Sequence, residues 1–197
     1  ERIARFFDDP AYVSPHTNRP AEYKTDVYCL SVFPYEGQYI GMPVLFHQSG
    51  MRPPLFENAD GRKSVELVCS RDLRTWERVA GRKPFLEQSP HGDGSDYDTG
   101  ELIPANRPVV RNDELWFYYG GYRYRNASQA QTFAREYLDS SAICLAKLRL
   151  DGFCSLKGGI EPGSVLTKKI EVDGSRLHLN VNSWRGHVAA ELLDAEE

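Results

Sequence analysis

Short apolar and aromatic runs, each closed by a turn, recur along this chain, and that recurrence restricts it to an all-β fold. Val27-Tyr28-Cys29-Leu30-Ser31-Val32-Phe33 is rich in β-branched and aromatic residues, Glu36-Gly37 turns it, and the run from Gln38 to His47 returns, which predicts a hairpin. The polar stretch from Gln48 to Arg62, with its Gly, Pro, Asn and Asp residues, reads as a loop. Val65 to Cys69 alternates as a third strand, and Ser70 to Val79 turns and begins a fourth. The order then restarts. His91 to Asp98 is a Gly/Asp/Ser-rich loop. Glu101-Leu102-Ile103, Pro108-Val109-Val110, the aromatic run Glu114 to Gly120, and Ser141 to Leu148 are strand-like, with turns at Arg111-Asn112-Asp113 and Asp151-Gly152-Phe153. Ala127 to Leu138 is the single helix the pattern predicts.

One four-strand unit is thus present twice. Asp26 and Asp98, which open the two first strands, stand 72 residues apart, and Asp72 and Asp151, which mark the turns after the third strands, stand 79 apart. Repeated four-stranded units are the pattern of a β-propeller, whose blades radiate around a channel, and two helix-free units also fit a β-sandwich. The last stretch loses this spacing. Val165 to Ile170, Arg176 to Val181 and Gly186 to Leu193 read as strands, with Asp173-Gly174 as a hairpin turn. These runs place a propeller part at 1–157, a linker over Gly158 to Gly163, and the start of a second β domain at 164–197.

Composition narrows the function. With 24 basic and 28 acidic residues the formal net charge is −4, which carries no Lys/Arg excess for a nucleic-acid backbone, so no nucleic-acid partner is expected. Hydrophobic residues make up 41% and aromatic ones 12%, enough for a packed core. No apolar run reaches the ~18 residues of a membrane span, so no membrane partner is expected either. Cys29, Cys69, Cys144 and Cys154 form no CxxC pair and meet no His at zinc spacing; they read as buried free thiols. Asp93, Asp96 and Asp98 cluster like hard-cation ligands but lack the EF-hand pattern, and a solvated turn is expected there. No metal or cofactor is expected, since Ser-nucleophile, P-loop and dinucleotide motifs are all missing.

The ordered set Asp26-Val27-Tyr28, Pro34 to Tyr39, Ser70-Arg71-Asp72 with Trp76, Tyr97-Asp98-Thr99-Gly100, Leu115 to Gly121, Leu148 to Phe153, Leu177 to Asn180 and Gly186-His187-Val188 resembles the five-bladed β-propeller glycosidases of families 32, 43 and 68. It looks most like the family-32-like bacterial proteins, where a β-sandwich follows the propeller. The resemblance implies blades of a five-bladed propeller followed by the first strands of a β-sandwich, with Asp26 opening the fourth blade and Asp98 the fifth. Glu1 to Arg5 would be the last strand of an earlier blade. It also implies that the catalytic carboxylates of such a glycosidase lie on blades upstream of this chain. The family-32 Glu-Cys-Pro and Arg-Asp-Pro motifs do not occur here.

If the fold is a propeller, the starts of the innermost strands face the ligand, and this selects the candidate residues. Hydrolysis of a glycoside needs two carboxylates roughly 5 to 9.5 Å apart. Asp26 with Asp98, from neighbouring units, is the favoured pair. Asp98 and Glu101, three apart on one strand, should face opposite ways. Each of the three also has a bland reading as a turn or loop carboxylate. Tyr97, Tyr122, Arg123 and His47 are candidates for contacting the sugar, and the remaining aromatics of Trp116 to Tyr119 should divide between core and surface. The expected partner is a carbohydrate. The activity is either that of a glycosidase part or of a non-catalytic carbohydrate-binding propeller. In Ser70 to Trp76, Asp72 should accept backbone N–H groups, a structural task.

Overall fold

The computed structural model describes residues 24–52, 56–90, 96–123 and 139–194, the backbone alone at 49–52 and 56–60. The expected helix at Ala127 to Leu138, the strand at Glu1 to Arg5 and His91 to Ser95 of the acidic loop lie outside these residues. The described chain is all-β and antiparallel, with a single 3₁₀ turn at Ala80–Arg82. None of its helices is long and apolar enough to cross a membrane. It divides into two compact units, Glu1–Cys154 and Ser155–Glu197.

In the first unit, β1 (Lys24–Tyr35) and β2 (Gln38–Arg52) form the expected hairpin. Glu36 and Gly37 both take positive φ, 44° and 73°, as a two-residue turn matched to strand twist requires. The expected loop from Gln48 to Arg62 is instead largely hairpin. β2 runs on to Arg52 and pairs with β3 (Phe56–Val65), including Gly50 opposite Asp60 and Met51 opposite Ala59. Backbone pairing tolerates polar residues, and the bulges at Gln48/Gly50 and Met51/Arg52 absorb the irregular sequence. The expected strand Val65 to Cys69 is broken at Glu66-Leu67: β3 ends at Val65, and β4 (Val68–Ser70) resumes along the same edge of β2. Beyond it lie the short β5 (Glu77–Arg78) on β4 and β6 (Leu86–Glu87) on β3. The first sheet therefore has four lanes: β1, β2, β3 with β4, and β5 with β6.

The second sheet centres on β9 (Glu114–Tyr122). One edge pairs with β7 (Glu101–Pro104) and β8 (Val109–Arg111), the other with β10 (Ser141–Arg149). The β8–β9 turn has Asn112 and Asp113 at positive φ, 50° and 60°. The β9 side chains divide by strand alternation: Leu115 and Phe117 are buried, while Tyr118 is exposed.

The two sheets share one core. Phe33, Ile40, Met42, Val44, Val65 and Leu67 of the first meet Leu102, Leu115 and Phe117 of the second. Phe85 and Phe153 close it, with ring centroids 5.2 Å (Phe85 to Phe117) and 6.2 Å (Phe153 to Phe117) apart. Asp72 accepts the backbone N–H groups of Arg74 and Thr75 at 2.8 and 2.7 Å, the expected structural task. All four cysteines are unpaired. Cys29, Cys69 and Cys144 are half-buried, but Cys154 is exposed and not buried as expected.

The second unit carries no strand over its described residues, 155–194. The three runs expected as strands keep Val165, Leu166, Ile170, Leu177, Leu179 and Val188 exposed. A strand exists only when its N–H and C=O groups pair with another strand, and periodicity alone does not supply the partner.

Candidate functional site

Cross-strand register builds a line of polar and aromatic residues across one end of both sheets. Asp26 on β1 is opposite Phe46 on β2, and Phe46 is opposite Lys63 on β3. Residues opposite one another share a face, so the Lys63 ammonium lies beside these side chains. Lys63 is buried, yet its amine is not left unpaired. It donates to the Glu101 carboxylate at the start of β7 and stands 3.5 Å from the centre of the Tyr28 ring. Burying an ammonium demands this kind of compensation. Glu101 is in turn opposite Tyr122 on β9, and Tyr122 is opposite Ser141 on β10. The line Asp26, Phe46, Lys63, Glu101, Tyr122, Ser141 thus joins the first lanes of both sheets at the same end. Tyr28 and Tyr122 are its exposed aromatics, 55% and 39% accessible. Asp26 accepts from the Gln48 amide and pairs with Lys24 at 3.3 Å.

Just before β7, Asp98 is buried at 7% exposure, and the Tyr119 hydroxyl donates to its Oδ2 at 2.7 Å. Gly121 makes this approach possible. A Cβ there would come within 2.8 Å of Cys144 Sγ and 3.2 Å of the Asp98 Cβ. Burial, followed by the bond to Asp98 and its charge, holds the Tyr119 phenol far above its ordinary range. It therefore remains a donor to Asp98 at neutral pH. Burial, then the Asp98 charge, pushes the neighbouring Cys144 thiol up as well, so this cysteine is not an activated nucleophile.

Around the corner from Asp98, Tyr97, Arg123 and Asp139 form a second group. The Tyr97 hydroxyl donates to Asp139 Oδ1 at 2.6 Å, and this bond raises the Tyr97 pKa. The Arg123 guanidinium lies 4.1 Å from the Tyr97 ring centre and 3.4 Å from Asp139 Oδ2.

The residues singled out from sequence fall into three sets. Tyr97 and Arg123 are in contact. Glu101 and Tyr122 are a cross-strand pair. Asp26 and Asp98 are held by separate partners, Gln48 with Lys24 for the first and Tyr119 for the second. Asp98 accepts from Tyr119, and Glu101 accepts from Lys63. His47 is 3% exposed, with Nδ1 and Nε2 lying 3.2 Å from Thr25 Oγ1 and 3.0 Å from Ser64 Oγ. Lys63, Tyr28, Gln48, Tyr119 and Asp139 were not singled out for the site. A lysine near the end of a polar stretch gives no sign of burial, and Tyr119 looked like one core aromatic among several. Only the alternation that places Tyr119 two positions after Phe117 hinted at its side.

No family model matches the chain and no curated protein matches it. A solved structure, named as a complex of BT0996 with RGII, is similar to it at 18% identity and a TM-score of 0.42, over 72% of this chain and 36% of that one. The chain therefore spans about a third of that neighbour's length.

Proposed function

We propose that residues 1–157 contribute blades to a five-bladed β-propeller of a carbohydrate-active protein of the glycosidase type, with 164–197 beginning a β-sandwich. The observation that carries this reading is the line from Asp26 to Ser141. It brings the starts of both first lanes to one end, where carboxylates lie beside exposed tyrosines. Sugars are bound by such a combination, with a ring face packed on an aromatic and hydroxyl groups bonded to carboxylates and amides. The four-lane antiparallel meander of the first sheet has the connectivity of a propeller blade.

In this reading Asp98 is the acid nearest the reacting sugar, and Tyr119 fixes its carboxylate. Tyr122, Tyr97 and Arg123 contact the ligand from the end of β9 and the approach to β7, and Asp26 bonds a sugar hydroxyl from the first sheet. Glu101 is ion-paired with Lys63 and holds β7 against β3 beneath the ligand. His47, buried between Thr25 and Ser64, acts as support for β2. The remaining catalytic carboxylates would come from other blades of a longer polypeptide.

A non-catalytic carbohydrate-binding propeller is the second reading. It is favoured by the way Glu101 and Asp98 both already bond to protein groups. A glycan array probed with this chain, followed by product analysis with the longer polypeptide on the polysaccharides that bind, tests both. Binding that Tyr122→Ala removes is expected. Product release lost in Asp98→Asn assigns catalysis, and binding without any product assigns the second reading. No glycan bound at all overturns both.

A further inference from the structure

Arg123 is held rigidly at its backbone and sparsely at its side chain. Its N–H donates to the Ser140 carbonyl at 2.9 Å, and its own carbonyl accepts from Thr99 Oγ1 at 3.3 Å. The end of β9 is thereby tied to the strand starts on both sides. The guanidinium carries five N–H donors in a planar fork. Its Nε is buried and, among the described residues, has no hydrogen-bond partner. Its Nη1 has an ion pair at 3.4 Å with Asp139, whose side chain is 68% exposed. An exposed pair at that length is weak. The Tyr97 ring, 4.1 Å away, supports the guanidinium through its π face without using any N–H.

A guanidinium set over an aromatic ring, with its Nε–H unspent among the described residues, is suited to a carboxylate, which a guanidinium takes in two parallel N–H···O bonds. We propose that Arg123, stacked on Tyr97, binds the carboxylate of an acidic sugar, and that Asp139 steadies the guanidinium until the ligand carboxylate replaces it. This rests on the carbohydrate reading above and gives it a substrate class. Asp139 is then a built-in competitor. Its other tie, the hydroxyl of Tyr97, keeps it near the site after displacement.

The test compares trigalacturonate with galactotriose, the same sugar without carboxylates, by calorimetry on the full chain. Trigalacturonate should bind about tenfold more tightly, on the order of one charge-assisted bidentate contact. Arg123→Gln should abolish that preference, so that the two trisaccharides bind alike, and Arg123→Lys should restore part of it. Asp139→Asn should tighten trigalacturonate alone. As an independent readout, acetate should shift the Arg123 Nε–H signal in ¹H–¹⁵N spectra, and thermal melts should show that the variants remain folded. Equal affinity for the two trisaccharides, or a preference that survives Arg123→Gln, overturns the carboxylate site and leaves the carbohydrate reading standing. If neither trisaccharide binds but acetate moves the Nε–H signal, the carboxylate site stands and the carbohydrate reading falls. If acetate leaves the signal in place and neither trisaccharide binds, both fall.

Discussion

Tyr119 shows how one hydroxyl sets the chemistry around Asp98. Burial of this phenol, then its bond to Asp98 and that carboxylate's charge, raise its pKa on folding above the ordinary 10. A group whose pKa is raised on folding stabilises the protein fully below its unfolded value and loses that contribution as pH rises through the folded one. Stability should therefore fall as pH increases beyond about 10, and Tyr119→Phe should flatten that part of the profile in denaturant titrations. The half-buried thiols of Cys29, Cys69 and Cys144, also raised, add a decline of the same sign that begins near 9, so wild type and variant must be compared directly. At neutral pH the variant should lose about 1 kcal/mol, the net worth of one hydrogen bond. At Gly121 the constraint is steric. Gly121→Ala drives a methyl onto Cys144 and Asp98, which should cost roughly 1–3 kcal/mol. The melting temperature reads this, and an unchanged value would show that Asp98 has room to move.

Among the elements, the seam between β3 and β7 matters most. Lys63 and Glu101, 4% and 14% exposed, bind two sheets through opposite charges. Removing one partner leaves the other buried and uncompensated, whereas replacing both with apolar residues of similar size removes the desolvation cost along with the attraction. Lys63→Met should therefore destabilise by about 3–5 kcal/mol, and Lys63→Met with Glu101→Leu should recover most of that loss. Urea unfolding of the single and double variants checks it. Additive losses would show that the pair is not coupled. The hairpins were legible because Glu36-Gly37 and Asn112-Asp113 announce their turns locally. The β2–β3 extension was not, because its polar, Gly- and Pro-containing sequence leaves no alternation to read although its backbone pairs.

The protein as a whole divides unequally. Every described strand lies in the unit ending at Cys154, and residues 155–194 are described without one. Truncation after Cys154 should therefore leave the β-sheet circular dichroism per molecule and the midpoint of unfolding nearly unchanged. A large loss of either would show that the second unit supports the sheets. The apolar residues of that unit, Ile160, Leu166 and Trp184 among them, are exposed. Such residues are candidates for burial against a partner.

The all-β class, the two hairpin turns, the restart of the strand pattern near Asp98, and the alternation that buries Leu115 and Phe117 could all be read from the order of residues. These follow from backbone preference and side-chain period, which act over a few positions. Which groups meet was settled only by folding in three dimensions: Lys63 with Glu101 across 38 positions, Tyr119 with Asp98 across 21, Tyr97 with Asp139 across 42. Contacts between distant residues depend on register and on how one sheet stacks on another. A short sequence window carries no record of either, and a strand without its partner, as in residues 165–193, is only an alternating pattern.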